Sequence, residues 1–191
     1  MAIPLPRRPP VTTLPAGATL WRVHRNMHDA LWFGPAAGSP ARGRFDAPTG
    51  QFGICYFGMS LPVAVLETLV RGSRDRLIDR ADLEARTASL FTTREPLRLL
   101  QFEGAGLVRL GIGAEQAHAA DYGDTQRLAL DLYERDPKIQ GVQYRSRWDN
   151  SLSCVALFDR AATTLGDPAA HWLADPTVIG RTLVRYELEL V

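Results

Sequence analysis

The order of the predicted elements is the strongest constraint on the fold of this chain, because strand segments follow one another with few helices between them. Strands are predicted at residues 20–24, 52–59, 141–144, 152–158 and 186–191, and further apolar runs occupy residues 88–92 and 97–102. Helices are predicted at residues 60–72, 124–135 and 176–184, with Asp124 as the cap of the second. Strands and helices do not alternate regularly, as they do around parallel sheets. The sequence therefore predicts an α+β fold with a mostly antiparallel sheet.

The proline-rich start differs in composition from the rest of the chain. Five prolines fall within residues 1–19, and no apolar stretch there resembles the central region of a signal peptide. We predict an extended N-terminal arm over residues 1–19 and a single domain over residues 20–191. The length of 191 residues suits one domain, although it also permits two small ones.

The charges of the chain nearly balance, since 22 basic and 21 acidic residues give a formal net charge of +1. Such a chain has no overall field that would attract a long polyanion or an anionic membrane. A local basic pocket for a small phosphate compound is still compatible with this balance. No apolar run reaches the roughly 18 residues that a membrane-spanning helix needs, so no membrane span is predicted.

Neither the cysteines nor the histidines form a recognisable site. Cys55 and Cys154 each lie in an apolar segment, and two cysteines without a secretory signal are typical of reduced core residues. This interpretation predicts a cytoplasmic protein. His24 and His28 have a spacing that suits one helix face, but no cysteine or HExxH pattern accompanies them. No metal site is predicted.

Glu67 occupies an unusual position in the first predicted helix, which begins at the expected N-cap Ser60 and ends at Gly72. Residues three and four apart are neighbours on a helix, so Glu67 is predicted to lie beside Val63 and Val70, against the apolar stripe. An ionised carboxylate is costly to remove from water unless it has partners. Glu67 is therefore expected either at the solvated rim of the stripe or on the wall of a cleft.

The common nucleotide and hydrolase motifs do not occur in this sequence. The glycines between residues 104 and 113 lack the spacing of GxGxxG, no GK[ST] sequence is present, and neither Ser60 nor Ser146 lies in a GxSxG elbow. The glycine- and proline-rich stretch 34–50 predicts a long loop, and loops of that length are often functional. The remaining candidates are scattered arginine, tyrosine, glutamate and serine residues.

Several of these residues lie in segments whose order and spacing are typical of a known family. The segments are Leu20-Trp21-Arg22-Val23-His24, Gly43-Arg44-Phe45-Asp46, Tyr56, Glu67 and Tyr144-Arg145-Ser146-Arg147. Together they resemble the RES-domain family, named for Arg, Glu and Ser, whose members are known as toxins of bacterial toxin–antitoxin pairs. The resemblance extends from about Leu20 to Arg160. Phe45 departs from it, because many members carry Trp there, but an aromatic ring is retained.

The resemblance implies an ADP-ribosyltransferase-like fold, in which a split, mostly antiparallel sheet with flanking helices surrounds a cleft for NAD. Members of the family are understood to consume NAD by hydrolysis or phosphorolysis, or to transfer ADP-ribose to a protein. Whether water, phosphate or a protein is the acceptor stays open. The resemblance also implies a helix-turn-helix antitoxin of the Xre type that binds the toxin and occludes its cleft.

The resemblance also suggests how four residues act on NAD, whose departing nicotinamide leaves an oxocarbenium-like ribose. Arg22 and Arg44 are candidates for holding the pyrophosphate and the adjoining ribose, because guanidinium groups stay charged and bind oxyanions through paired donors. Tyr56 is expected to stack on the cationic nicotinamide. Glu67 is expected to hydrogen-bond the nicotinamide ribose and to stabilise the positive charge that develops as the bond breaks.

The polar bend that begins at residue 145 supplies the other candidates. Ser146 is expected to orient the ribose or the nicotinamide amide, with Arg147 and Asn150 in support. Ordinary structural alternatives also exist for the arginines of the cleft, for Tyr56 and for Ser146. An arginine can form a salt bridge, Tyr56 can be a half-buried strand residue, and Ser146 can satisfy the backbone of a turn.

Two other functions compete with an NAD-consuming toxin. An inactive nucleotide- or partner-binding module would keep the fold as the docking half of a complex, although the intact set of candidate residues argues against it. A nuclease toxin is suggested by the genetic setting of such families alone. The near-neutral charge weighs against a nucleic-acid substrate.

Overall fold

The computed structural model describes residues 3–35, 38–70 and 76–191. These residues form ten strands: β1 (Val11–Leu14), β2 (Thr19–Arg25), β3 (Ile54–Gly58), β4 (Leu77–Ile78), β5 (Arg86–Thr92), β6 (Leu97–Phe102), β7 (Gly141–Arg145), β8 (Ser153–Phe158), β9 (Ala169–Trp172) and β10 (Glu189–Leu190). They also form six α-helices: α1 (Leu61–Val65), α2 (Arg80–Glu84), α3 (Ala105–Leu110), α4 (Ala114–Ala117), α5 (Gly123–Arg135) and α6 (Pro176–Tyr186). A π-helical turn, Leu66–Val70, continues α1, and a 3-10 helix, Asp159–Thr164, follows β8.

Eight of the strands form one sheet in the order β1-β6-β7-β8-β3-β2-β5-β9. Its neighbouring strands are antiparallel except for the parallel pair β6 and β7. Strands β4 and β10 form a separate parallel pair. Helices flank the large sheet, and the predicted α+β fold with a mostly antiparallel sheet is confirmed. None of the helices in the described residues is long and apolar enough to cross a bilayer.

The sheet splits between β2 and β3. These two strands are paired at a single described position, Trp21 opposite Gly58, whereas β2 pairs with β5 from Thr19 to Arg25 and β3 pairs with β8 from Ile54 to Gly58. Beyond Trp21 the two halves of the sheet therefore diverge, and their edges leave a cleft. This arrangement is the split sheet that the family resemblance implies.

The proline-rich start is built into the domain rather than extending away from it. Within the predicted arm, β1 pairs with β6 over four positions. Ile3 is buried in the core, and the guanidinium of Arg135 donates hydrogen bonds of 2.8 Å to the carbonyls of Leu5 and Pro6. These contacts place the start of the chain across the C-terminal end of α5.

Phe45, which stands where many family members carry Trp, packs in a buried aromatic cluster beneath the cleft. Phe45 is fully buried, and its ring centroid lies 5.4 Å from that of Phe102 and 5.1 Å from that of Tyr144. Leu128 and Leu132 of α5 pack in the same cluster. The phenyl ring thus fills a core position, and its packing holds the preceding Arg44 at the cleft.

Two predicted element ends are wrong. Asp124 does not cap α5, because Tyr122 is the cap residue and Asp124 lies within the first turn. Its negative charge there interacts favourably with the positive end of the helix dipole. The predicted strand 186–191 is shortened to β10, because α6 continues through Tyr186. The amide of Leu188 then closes the helix by donating a 2.9 Å hydrogen bond to the carbonyl of Leu183.

The first predicted helix begins where the sequence indicates, but its cap differs from the expected one. Ser60 occupies the N-cap position without donating or accepting a side-chain cap hydrogen bond. The predicted end at Gly72 lies outside the described residues. Residues 71–75 of the mixed-charge stretch 71–86 also lie outside them, and the rest of that stretch forms β4, α2 and the start of β5.

Candidate active site

A cavity of about 740 Å³ fills the cleft between β2 and β3. This volume falls within the range of roughly 300–1,000 Å³ that is usual for small-molecule and cofactor sites. Four of the residues predicted from the sequence line it: Arg22, Arg44, Tyr56 and Glu67. They come from β2, the long loop, β3 and the π-helical turn, so the split sheet brings together side chains that are far apart in the chain.

Glu67 lies on the wall of the cavity, not at the solvated rim of an apolar stripe. It is half-buried in the π-helical turn that follows α1, and such turns are frequent at functional sites. Its Oε1 accepts a 2.7 Å hydrogen bond from the hydroxyl of Ser146 and a 3.2 Å hydrogen bond from the amide of Arg147. These two donors fix the orientation of the carboxylate.

Ser146 holds Glu67 by a hydrogen bond but does not itself face the cavity. The serine is fully buried, and it is not among the residues that line the cavity. Besides donating to Glu67, its Oγ accepts hydrogen bonds from the amides of Trp148, at 3.1 Å, and Asp149, at 3.4 Å. The hydroxyl therefore joins the polar bend to the carboxylate, which combines the turn alternative for Ser146 with a position beside the site.

A buried hydrogen-bond network holds the turn from Gly43 to Asp46 against Tyr56. Oδ2 of Asp46 accepts from the amides of Arg42, at 2.9 Å, and Gly43, at 2.6 Å. The Tyr56 hydroxyl donates to Oδ1 of Asp46 at 2.8 Å and accepts from the amide of Phe45 at 2.9 Å. A Cβ atom at Gly43 would lie 2.4 Å from both Asp46 Oδ1 and the Tyr56 hydroxyl oxygen, so the turn requires glycine.

Arg44 projects from this turn as a buried cation. It is 7% exposed, its guanidinium carbon lies 5.0 Å from the centroid of the Tyr144 ring, and its Nε is buried without a hydrogen-bond partner. Helix α5 fixes the backbone of the turn, because the hydroxyl of Thr125 donates a 2.6 Å hydrogen bond to the Arg44 carbonyl. A buried guanidinium with a free donor, facing a cavity, is suited to bind an anion.

Arg22 combines a place on the cavity wall with a structural contact. Its Nη1 donates hydrogen bonds to the carbonyls of Ala30 and Asp29, the latter at 3.2 Å. Arg22 is half-buried on β2, so one guanidinium group both faces the cavity and anchors the segment that follows this strand.

The two remaining predicted residues lie farther out. The Nη2 of Arg147 donates to the carbonyls of His118, at 3.1 Å, and Ala119, at 2.7 Å, and its guanidinium carbon lies 5.4 Å from the centroid of the Tyr122 ring. Arg147 lines a small cavity of about 30 Å³ that shares residues with the large one. Asn150 is exposed and lines neither cavity.

A family model of the RES domain matches residues 19–176. The chain belongs to the RES-domain family. Among solved structures, a chain of the M. tuberculosis MbcT–MbcA toxin–antitoxin complex superposes with a TM-score of 0.63 and 17% sequence identity. The match covers 85% of this chain and 88% of that one, and at such identity it shows a shared fold. No curated protein matches the chain in sequence.

Three residues at this RES-domain site were missed by sequence reasoning or given no role by it. Trp32 and Tyr122 line the cavity, but single aromatic residues in loops carry no periodic signal that could have identified them. Asp46 stood in the recognised Gly43–Asp46 segment, and its spacing of ten residues from Tyr56 gave no indication of a hydrogen bond between them. These contacts depend on how the long loop folds back over β3.

His118 also lies next to the site of this RES domain. Burial lowers its pKa, as do the nearby cations Arg44 and Arg147, while Glu67 opposes the shift. The imidazole is therefore neutral at pH 7, and its Nδ1 is buried without a hydrogen-bond partner. Within the described residues, no three His, Cys, Asp or Glu side chains are grouped so as to hold a metal ion.

The two cysteines of the RES domain are buried and unpaired, as the sequence predicts. Cys55 and Cys154 are each 1% exposed. Burial raises the pKa of both thiols, so neither is a thiolate at neutral pH. Both cysteines line the cavity, but as buried protonated thiols they do not supply a nucleophile there.

Alkaline pH is expected to destabilise the protein through its buried tyrosines. Burial, reinforced by the Asp46 carboxylate, raises the pKa of Tyr56 well above its ordinary value of 10.0, and burial does the same for Tyr144. A raised pKa means that the folded state holds the proton more tightly than the unfolded state. The protonated tyrosines therefore contribute their full stabilisation below pH 10, and this stabilisation is lost as the pH rises towards their folded-state pKa values.

Urea unfolding and phenolate absorbance, both measured as a function of pH, check this expectation. We expect the urea midpoint to fall above pH 10, and the fall to be smaller in Tyr56→Phe. The chain has five tyrosines, and in the native protein the two buried ones should not ionise near pH 10. Ionisation of all five without unfolding would contradict the burial of these hydroxyls.

Proposed function

We propose that this protein binds NAD in the cleft between β2 and β3 and cleaves the bond between nicotinamide and ribose. The observation that carries the proposal is the Glu67 carboxylate, which is oriented by two hydrogen bonds on the wall of a cavity that arginines also line. NAD combines an anionic pyrophosphate with a cationic nicotinamide. A cavity that holds fixed cations and a fixed carboxylate matches both ends of such a molecule.

The proposed reaction breaks the C1′–N bond, and the bonding electron pair stays on the nicotinamide nitrogen. Nicotinamide leaves as a neutral molecule, and positive charge develops on the ribose. A preorganised carboxylate stabilises that charge more strongly in a cavity than in water. The acceptor oxygen then forms the new bond to C1′ and loses its proton, which yields an ADP-ribosyl product.

The binding roles follow from the positions of the other side chains. Arg44, with its unpartnered Nε, and Arg22 hold the pyrophosphate. The Tyr56 hydroxyl is already engaged by Asp46 and Phe45, and the residue lines the cavity. The ring face is therefore the part of Tyr56 that is available to stack on the nicotinamide. Ser146 acts through Glu67 as a positioning residue, and Arg147 fixes the same carboxylate through its backbone amide.

Release of nicotinamide from NAD by the purified protein tests the proposal directly. Product analysis then separates the acceptors: free ADP-ribose indicates water, its phosphate ester indicates phosphate, and labelled protein in a bacterial lysate offered labelled NAD indicates transfer. Calorimetric binding of NAD without nicotinamide release would instead support an inactive nucleotide-binding module. Absence of both binding and release would refute the proposed function.

Replacing Ser146 with alanine is expected to lower kcat for nicotinamide release roughly tenfold with little change in KM, because Glu67 loses one charge-assisted hydrogen bond but keeps its charge. Ser151→Ala is the matched control, because its hydroxyl bonds to Asp149 in the same bend but is exposed. Steady-state kinetics of both variants, with urea unfolding to verify the fold, provide the measurement. A rise in KM at constant kcat would instead assign Ser146 to substrate binding.

We also propose that the protein is the toxin half of a toxin–antitoxin pair and acts in the cytoplasm. Membership of the RES-domain family supports this, as does the shared fold with a chain of a toxin–antitoxin complex. The expected partner is a helix-turn-helix protein of the Xre type that covers the cleft. Expression of the chain in bacteria should arrest growth, and co-expression of a neighbouring gene of that type should restore it. Unimpaired growth with soluble, NAD-cleaving protein would argue against toxicity.

A further inference from the structure

Trp32 is an exposed aromatic residue that lies on the wall of the cavity. It is 55% exposed, although large aromatic side chains usually bury most of their surface. Its indole packs directly against Gly34, where a Cβ atom would lie 2.0 Å from Cη2 of the ring. Glycine at position 34 therefore allows the ring to rest on the backbone with its remaining surface open.

The segment that carries Trp32 is anchored on both sides. On one side, Gly34 exchanges two backbone hydrogen bonds with Ile54 of β3, at 2.9 and 3.1 Å. On the other side, Arg22 of β2 holds the carbonyls of Asp29 and Ala30. An exposed ring on an anchored segment is preorganised, because binding to it costs little ordering of the protein.

The order of groups in the cavity indicates what this ring would contact. The following step rests on the proposed function, in which Glu67 faces the nicotinamide ribose and Arg22 faces the pyrophosphate. Trp32 is two residues beyond Ala30, whose carbonyl accepts a hydrogen bond from Arg22, and both Trp32 and Arg22 line the cavity. The segment that carries the indole therefore lies next to the arginine assigned to the pyrophosphate. The proposed function gives the nicotinamide half of NAD to Tyr56 and Glu67, so the group that remains for a ring next to the pyrophosphate is adenosine.

We propose that Trp32 stacks on the adenine ring of NAD and makes the site selective for the adenine dinucleotide over nicotinamide mononucleotide. Purine rings stack well on indole, and an alanine substitution that removes such a contact usually weakens binding by about fivefold to a hundredfold. Trp32 would therefore determine affinity for the adenylate half and leave the chemistry at Glu67 unchanged.

Calorimetric dissociation constants for ADP-ribose and nicotinamide mononucleotide test this inference without requiring turnover. Trp32→Ala should weaken ADP-ribose binding roughly tenfold and leave nicotinamide mononucleotide unaffected, while Trp32→Phe should retain most of the affinity. Trp172→Ala is the matched control, because Trp172 is 56% exposed on β9 and does not line the cavity. Its affinity for both ligands should equal that of the unaltered protein.

The outcomes separate this inference from the proposed function. Unchanged ADP-ribose affinity in Trp32→Ala, equal weakening for both ligands, or failure of the unaltered protein to bind ADP-ribose would each overturn the adenine contact. If Trp32→Ala loses affinity for ADP-ribose and Trp172→Ala does not, the contact is supported even if NAD releases no nicotinamide. In that case the cleavage proposal would fail while the assignment of Trp32 stood.

Discussion

Replacement of Glu67 by alanine is expected to lower the rate of nicotinamide release at least about a hundredfold, the usual scale for losing one preorganised electrostatic contact. The carboxylate is held by the Ser146 hydroxyl and the Arg147 amide, so little reorganisation is needed when charge develops on the ribose. Its removal also leaves the fully buried Ser146 hydroxyl without its acceptor. We therefore expect kcat to fall much more than affinity for NAD.

A second substitution separates the charge of Glu67 from its shape. Glu67→Gln retains an oxygen that accepts from Ser146, and it should still lose most of the rate if charge stabilisation is the role. Glu134→Ala, at an exposed position of α5, should match the unaltered protein. Nicotinamide release measured by chromatography, with circular dichroism to verify folding, provides the comparison. Equal rates for Glu67→Ala and the unaltered protein would remove Glu67 from the reaction.

Replacement of Asp46 by alanine is expected to lower the free energy of unfolding by about 3 kcal/mol or more, because it leaves three buried or part-buried donors without this acceptor. The carboxylate is 5% exposed and accepts from the amides of Arg42 and Gly43 and from the Tyr56 hydroxyl. The same loss releases the turn that carries Arg44. Affinity for NAD should therefore fall even under conditions in which the variant is fully folded.

Urea unfolding, followed by calorimetry with NAD at low temperature, measures both effects of Asp46→Ala. Asp131→Ala, on the exposed face of α5, is the matched control and should change the free energy of unfolding by less than about 0.5 kcal/mol. Tyr56→Phe removes one donor and keeps the ring, so it should cost less than Asp46→Ala. A fully stable Asp46→Ala variant with unchanged NAD affinity would show that the turn does not depend on this network.

The sequence identified the regular elements best where their patterns are long. Helix α5 was predicted from its apolar residues, β3 from its aromatic and β-branched residues, and β8 as an apolar segment that follows the polar bend. The short helices α2, α3 and α4 contain four to six residues each, too few for a helical period to stand out. The edge strand β9 was missed for the same reason, since Ala169–Trp172 has no alternating pattern of buried and exposed residues.

The candidate site shows the same division between local and distant information. The residue types that suit NAD chemistry were named from the sequence: Arg22, Arg44, Tyr56, Glu67 and Ser146. Their partners were not, because the hydrogen bond from Ser146 to Glu67 joins residues 79 positions apart. That contact depends on where the β7–β8 bend meets the π-helical turn, and no local pattern encodes such a meeting.

The sequence by itself determined the family, the α+β class, and the position of an acid against the apolar stripe of its own helix. Tertiary structure decided that this acid faces a cleft, because β2 and β3 separate after Trp21 and leave their edges open. It also decided that Ser146 is buried beneath Glu67 and that Trp32 is exposed beside the cavity. Burial and hydrogen-bond partners depend on chain segments that meet only after folding, whereas strand and helix preferences arise from neighbouring residues.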